Sequence, residues 1–258
     1  MRAPFSVLGV LVVLVILAPV LAPADPMQTD AAAQLQPPGQ AHLLGTDLLG
    51  RDVISRALYG GRRTLVIAGI ATLIAVVPGA LLGVTAGTLR GSADEAVVVV
   101  LNAILAFPSL VVALAALTLM GAGWLPLATA TGFSLLASFA RVARSAVIGI
   151  RNMPYVEAAQ SMGASRWHIM QQHILPNIET TLLAYAGVIF GYTILNSAML
   201  SALGLGGEPG VPDWGTMLAD GRTAFRAAPW IGLIPGLAIT ATVWAVNRIA
   251  DRLGSGSL

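Results

Sequence analysis

Residues 154–176, PYVEAAQSMGASRWHIMQQHILP, form a polar insert between long apolar runs. Pro154 suits the first turn of a helix, and Glu157 falls where a carboxylate complements the helix dipole. Ala158 and Ala159 leave a smooth surface that packs closely. Gly163 ends the short helix and permits a sharp turn. Arg166, Trp167 and His168 begin a second segment, and Pro176 marks the start of the next long helix. The chemistry on offer is recognition rather than bond making. A short helix with small residues on one face is a knob that another protein's groove can hold. The competing reading is an ordinary connecting loop, and spacing alone does not separate the two.

The remaining reactive groups exclude several functions. The 258 residues contain no Cys, which removes disulfides, thiolate nucleophiles and thiolate metal sites. They contain no Lys either, so no phosphate-binding P-loop can form and the chain is not a P-loop ATPase by itself. The three histidines, His42, His168 and His173, have no metal-ligand spacing. A net charge of +2 is spread over loops and makes no nucleic-acid patch.

The elements that must position the insert are membrane helices. The chain is 56% hydrophobic and 10% charged, against roughly 25% charged in soluble domains. Runs without charge occur at Ala3–Ala24, Thr64–Leu89, Ala96–Ala140, Thr180–Gly207 and Ala227–Asn247. The third is too long for one span, and Gly121-Ala-Gly-Trp-Leu-Pro126 divides it by turn chemistry into 96–120 and 125–143. Six transmembrane helices are expected in an all-α membrane protein. The first run has a second reading as a signal peptide with Ala22-Pro-Ala24 as its cleavage site, which leaves five. Residues 1–63 are expected to hold the first helix plus an extracytoplasmic or interfacial segment. Residues 64–258 are expected to hold a core of five helices with the polar loop at 141–179.

With the N-terminus inside, the Arg141–Arg166 region and Arg248/Arg252 obey the positive-inside rule, whereas Arg51, Arg56, Arg62 and Arg63 lie outside. An interfacial helix over 46–63, with Asp47 and Asp52 near the arginines, eases part of this conflict.

The insert resembles the EAA loop of the membrane subunits of binding-protein-dependent ABC importers. That pattern is Glu-Ala-Ala, three residues, Gly, nine residues and Ile-x-Leu-Pro. Glu157-Ala158-Ala159, Gly163 and Leu175-Pro176 fall in register, with His173 in the usual Ile position. The His-Ile-Leu-Pro-Asn ending resembles the dipeptide/oligopeptide/nickel branch. So do His42-Leu-Leu-Gly-Thr-Asp-Leu-Leu-Gly-Arg-Asp52, Ala106-Phe-Pro-Ser109, Leu203-Gly-Leu-Gly206, Trp214-Gly-Thr-Met-Leu218 and Ala228-Pro-Trp230. The likeness runs from residue 42 to about 252 and is nearest to the second, C-type permease subunit.

The resemblance implies a type I ABC importer transmembrane domain in the bacterial inner membrane. It implies a homologous second permease, cytoplasmic P-loop ATPases that carry ATP and Mg, and an extracytoplasmic substrate-binding protein. This chain would bind no cofactor and catalyse no reaction. Glu157, Ala158, Ala159, Gly163, Ala164, Leu175 and Pro176 would couple it to the ATPase. Substrates carried by such relatives include dipeptides, oligopeptides, glutathione, nickel chelates and haem.

Asn102, Pro108 and Asn196 are the candidate path or gate residues. Each asparagine either lines the path or makes an interhelical hydrogen bond, and Pro108 kinks the third span. The family often has acidic residues at the two asparagine positions; their absence argues against a proton relay and against charge-based substrate contact there. Asp213, Trp214 and Arg222, with Glu208, Asp220 and Arg226, fall in the outer loop and are candidates for docking the binding protein. An ion-driven transporter or an intramembrane protease needs ionisable residues or a Ser–His or paired-Asp constellation at depth. The expected span cores lack both.

Overall fold

The computed structural model of the chain describes residues 3–89, 92–206 and 210–255. Among these residues every regular element is helical, and the only extended pairing is an isolated bridge between Thr46 and Asp52. The order is α1 (Ala3–Ile16), α2 (Ala18–Leu21), α3 (Val53–Thr88), α4 (Ser92–Leu105), α5 (Ser109–Met120), α6 (Trp124–Arg151), α7 (Pro154–Ser161), α8 (Arg166–Ile169), a π turn (Met170–Ile174), α9 (Leu175–Ala202), α10 (Trp214–Ala224) and α11 (Trp230–Ser255).

Among the described residues four stretches are long and apolar enough to cross a bilayer: α3, α6, α11 and the continuous rod from Arg166 to Ala202. The third expected span is not a kinked helix. It is broken between α4 and α5 and bent by 86°, with Pro108 standing at the N-cap of α5. Proline has no N–H to continue the α4 ladder, and its ring displaces the preceding turn. The first expected span, Ala3–Ala24, is divided: α1 covers 14 residues, the chain breaks at Leu17, and only the four-residue α2, with Pro19 in its first turn, follows.

The expected interfacial helix over 46–63 is also corrected. Residues 46–52 form a turn, and α3 runs unbroken from Val53, well before Thr64, for 36 residues. Asp52 caps it by accepting from the Ser55 N–H at 2.8 Å. An N-cap carboxylate satisfies an orphan helix donor, which fixes where the span begins.

α3 and α6 make the most extensive helix pairing. Gly79, Gly83 and Gly87 recur at every fourth position of α3 and face α6. A Cβ on Gly83 would lie 2.3 Å from the Ala140 carbonyl oxygen, and one on Gly87 would lie 2.7 Å from Val147 Cβ. Small residues at this spacing let two backbones approach in lipid, where hydrophobic burial gives helices no reason to associate.

Candidate functional site

The polar loop is built as a rigid bracket. In α7 the buried side chains are Val156 and Ala159. Val156 joins Val147, Ile169, Ile174 and Ile178 in one cluster, with Val84, Ile150 and Ala164 packed around it. This core draws on α3, α6, α7, α8, the π turn and α9 together. Glu157 and Ala158 remain exposed beside it.

Gly163 has φ +87°. Its N–H donates to the Gln160 carbonyl at 3.0 Å, and the Ala164 N–H reaches back to the Ala159 carbonyl at 3.1 Å. These two bonds with a left-handed glycine constitute a Schellman end. They turn the chain through a sharp corner and tuck Ala164 into the cluster. Ser165 then caps α8 by accepting from the His168 N–H at 3.2 Å.

Arg151 holds the other side, donating from Nη1 to the Gly87 and Leu89 carbonyls at 2.7 and 3.0 Å. A guanidinium on the last carbonyls of α3 satisfies orphan acceptors and suits the helix dipole. Met162 (83% exposed) and Trp167 (68% exposed) flank Gly163 on the outside. Large apolar side chains so exposed on a polar loop mark a contact surface. Leu175 and Pro176 lie at the join with α9, both exposed. Their neighbour, the π turn, is a local rewinding of the kind that recurs at functional sites. It places His173 with its ring 5.9 Å from Tyr155 and 6.0 Å from His168. Among the described residues no group of three or more potential metal ligands forms.

The path candidates meet interhelical partners. Asn102 on α4 accepts a hydrogen bond from Arg141 Nη2 on α6, and Asn196 on α9 donates to Ser109 Oγ at the α4–α5 break at 3.4 Å. Pro108 is exposed at that break. Arg144, one turn beyond Arg141, grips Asp94 with two bonds of 2.7 and 2.6 Å. The expectation that span cores lack charge is thus modified: α6 continues to Arg151 and carries Arg141 and Arg144 inside its length. Their spacing of one helical turn, given a longer helix, was the available signal.

Two docking candidates are corrected. Asp213 and Trp214 are 4% and 1% exposed. Asp213 accepts from the Gly215 and Thr216 N–H groups and forms a capping box with Thr216. Trp214 donates from Nε1 to the Ala57 carbonyl at 2.9 Å and from its backbone to Thr64 Oγ1 at 3.0 Å. Trp214 thus fastens α10 to α3 while Asp213 caps the first turn of α10 itself, and both side chains are buried. Arg222 and Arg226 are exposed; Glu208 lies outside the described residues.

The His42–Asp52 stretch is a plug of paired charges. Asp47, 1% exposed, receives Arg51 Nε at 2.6 Å and Arg56 Nε at 3.3 Å. Both arginines also reach Asp220 of α10 at 3.4 Å, and His42 Nδ1 meets Asp52 at 3.0 Å. Burial pushes the Asp220 carboxyl above its ordinary range, against the opposing pull of Arg56 and Arg51. Trp230 Nε1 donates to the Thr46 carbonyl at 3.0 Å, locking the start of α11 to the plug.

The sequence profile described as "Binding-protein-dependent transport system inner membrane component" matches residues 79–255. The chain is 38% identical over 242 residues to the Di/tripeptide transport system permease protein DppC of Pseudomonas aeruginosa, covering 92% of this chain and 80% of that one. It is 37% identical over 216 residues to the Glutathione transport system permease protein GsiD of Pectobacterium atrosepticum, covering 84% and 72%. Inward-facing structures of the MetNI methionine ABC transporter share the fold, with a TM-score of 0.63 at 17% identity over 79% of this chain and 96% of that one. The chain therefore belongs to the family of binding-protein-dependent transport system inner membrane components, as a multi-pass permease subunit with the type I importer fold.

Proposed function

We propose that this chain forms half of the translocation path of a peptide importer and is driven through α7. The observation that carries the coupling reading is the bracket itself. Glu157 and Ala158 face outward while Ala159 is buried and Val156 sinks into a cluster shared by three long helices. A cytoplasmic P-loop ATPase, which binds ATP and Mg, grips the outward face around Glu157, Ala158, Met162 and Gly163. Its closure carries α7 as a rigid body and tips the long helices. A second, homologous permease completes the path, and an extracytoplasmic binding protein supplies substrate, with exposed Arg222 and Arg226 as contacts for it.

Dipeptides and oligopeptides are the proposed cargo, because the relatives named for peptides align over nearly the whole chain. Glutathione, named for another relative, is itself a tripeptide and belongs to the same chemical class. The test is co-purification of the tagged chain from its native membrane, with ATPase and dialanine uptake measured in parallel. A second permease and an ATPase are expected with the wild type. Glu157→Lys reverses the charge in the first turn of α7, so inserted protein with lost uptake is expected. Normal uptake in that variant contradicts coupling through α7.

A further inference from the structure

Arg141 is a charge inside a span that no carboxylate among the described residues neutralises. It lies seventeen residues after Trp124 in α6, about 26 Å along the axis at 1.5 Å per residue. With Trp124 at the outer interface, that depth falls within a hydrocarbon layer about 30 Å thick. Arg144 has the Asp94 carboxylate. The partner of Arg141 is a neutral amide, Asn102 Oδ1, and among the described residues no carboxylate is paired with it.

Its direction is informative. A lipid-facing arginine at this depth would snorkel toward the nearer, cytoplasmic interface. Asn102 lies eight residues beyond Asp94 along α4, farther from that interface. The guanidinium is therefore drawn toward the membrane centre, away from the water it would otherwise seek. Arg141 is nonetheless exposed in the single chain. An uncompensated guanidinium in a span faces a water-filled cavity or an anion rather than lipid. Ser138, one turn earlier on the same face, is bonded to Tyr185 of α9 at 2.8 Å and extends the polar surface.

We infer that Arg141, held by Asn102, is the contact for the carboxylate of the transported substrate in the path. The guanidinium has five donors in a planar fork suited to a carboxylate, and Asn102 occupies only one of them. A neutral residue at 102 leaves the charge available, where a carboxylate would cancel it. This inference rests on the peptide reading above.

The experiment uses the complete complex with its second permease and ATPases in lipid nanodiscs, without nucleotide or binding protein. Saturation-transfer NMR compares dialanine with dialanine amide, and cells carrying the whole system report dialanine uptake. The wild type is expected to contact the free acid in preference to the amide. Arg141→Gln removes the charge, and Asn102→Asp cancels it without removing the arginine. Both are expected to abolish the preference and to lower uptake about tenfold, the loss of one charge-assisted hydrogen bond. Acid preference that survives in both variants overturns the inference. It is also overturned if Arg141→Gln loses the second permease on purification while Asn102→Asp assembles and transports normally, which assigns Arg141 to a subunit contact. Absence of dialanine uptake in the wild type refutes the peptide reading itself and takes this inference with it.

Discussion

Gly163 separates two reasons for a glycine in the coupling loop, backbone conformation and partner contact. A Cβ added there would meet nothing within 4 Å, so no side chain clashes within this chain. The conformation is another matter, because φ is +87°, where an L-residue costs roughly 1–2 kcal/mol. Escape from the left-handed region forfeits the Gly163–Gln160 and Ala164–Ala159 bonds, about 1 kcal/mol each. Strain and release are therefore of similar size. Gly163→Ala is expected to destabilise the corner by about 1–2 kcal/mol, raising its opened population roughly 5- to 30-fold. Valine should cost more, because its branched side chain fits the left-handed region poorly, and asparagine less, because it tolerates that region. Hydrogen exchange at the Gly163 and Ala164 amides reads the opening, and substrate transported per ATP reads the coupling. The order Asn, Ala, Val from mildest to worst is expected in both. If asparagine uncouples as severely as valine while exchange stays slow, the partner reads the bare Cα surface and the conformational argument is refuted.

Three other perturbations have definite outcomes. Asp47→Asn leaves two buried arginines with the half-buried Asp220 as their paired carboxylate among the described residues; a loss of about 3–5 kcal/mol is expected, read as a lower unfolding temperature in detergent, and a change within error would show the plug is not structural. Gly83→Ala places a methyl 2.3 Å from the Ala140 carbonyl and should cost about 1–3 kcal/mol by overpacking. Gly69→Ala on the same helix meets nothing within 4 Å and should be neutral or stabilising, so equal damage from both would refute the packing account. The raised Asp220 carboxyl binds its proton more tightly in the folded state. That contribution to stability is full below the ordinary value of 3.8 and is lost as pH rises through the folded value. Denaturant titrations across mildly acid pH should show a flatter profile for Asp220→Asn, and an unchanged slope would contradict the assignment.

Much of the coupling loop was legible because its signals are local. Pro154, the helix-forming run after it and the glycine at 163 each specify backbone by their own chemistry, and α7 with its Schellman corner forms where they stand. The start of α10 is not legible in the same way, because the meaning of its residues depends on distant partners. Asp213 and Trp214 look like exposed polar and interfacial residues until Thr64 and Ala57 close over them. Hydropathy likewise began the second span at Thr64, since Arg56, Arg62 and Arg63 count against a membrane helix. Burial of Arg56 against Asp47 and Asp220 removes part of that penalty. Glycines four apart in α3 were a readable packing signal, whereas the 86° bend at Pro108 needs tertiary support that no local pattern reveals.

The architecture also explains how a displacement at α7 reaches the bilayer. A flexible connection would absorb it, because loops move at little cost when few contacts oppose them. Here Val156 is fully buried among residues of α3, α6 and α9, and close-packed interiors transmit strain. Arg151 ties the end of α6 to the last carbonyls of α3, while Gly83 and Gly87 hold the two helices in backbone contact just above. Pulling α7 must therefore move α3 and α6 as one body. Beyond the break at Pro108, α5 is buried against α3 and α6 through Ala113 and Leu117, whereas α4 meets this body more lightly, through Leu101 against Ala137 and Ala140 and the Arg144–Asp94 and Arg141–Asn102 contacts, so α4 is the segment placed to respond differently. Relative motion at the break would change what Arg141 faces, which would link the proposed coupling at α7 to the proposed substrate contact at Arg141. Cross-linking α4 to α6 with a bifunctional thiol reagent between Asp94→Cys and Arg144→Cys, which spans the length of the lost Arg144 side chain, is expected to preserve substrate contact at Arg141 while abolishing ATP-driven uptake. Undiminished uptake in the cross-linked protein would place the moving element elsewhere.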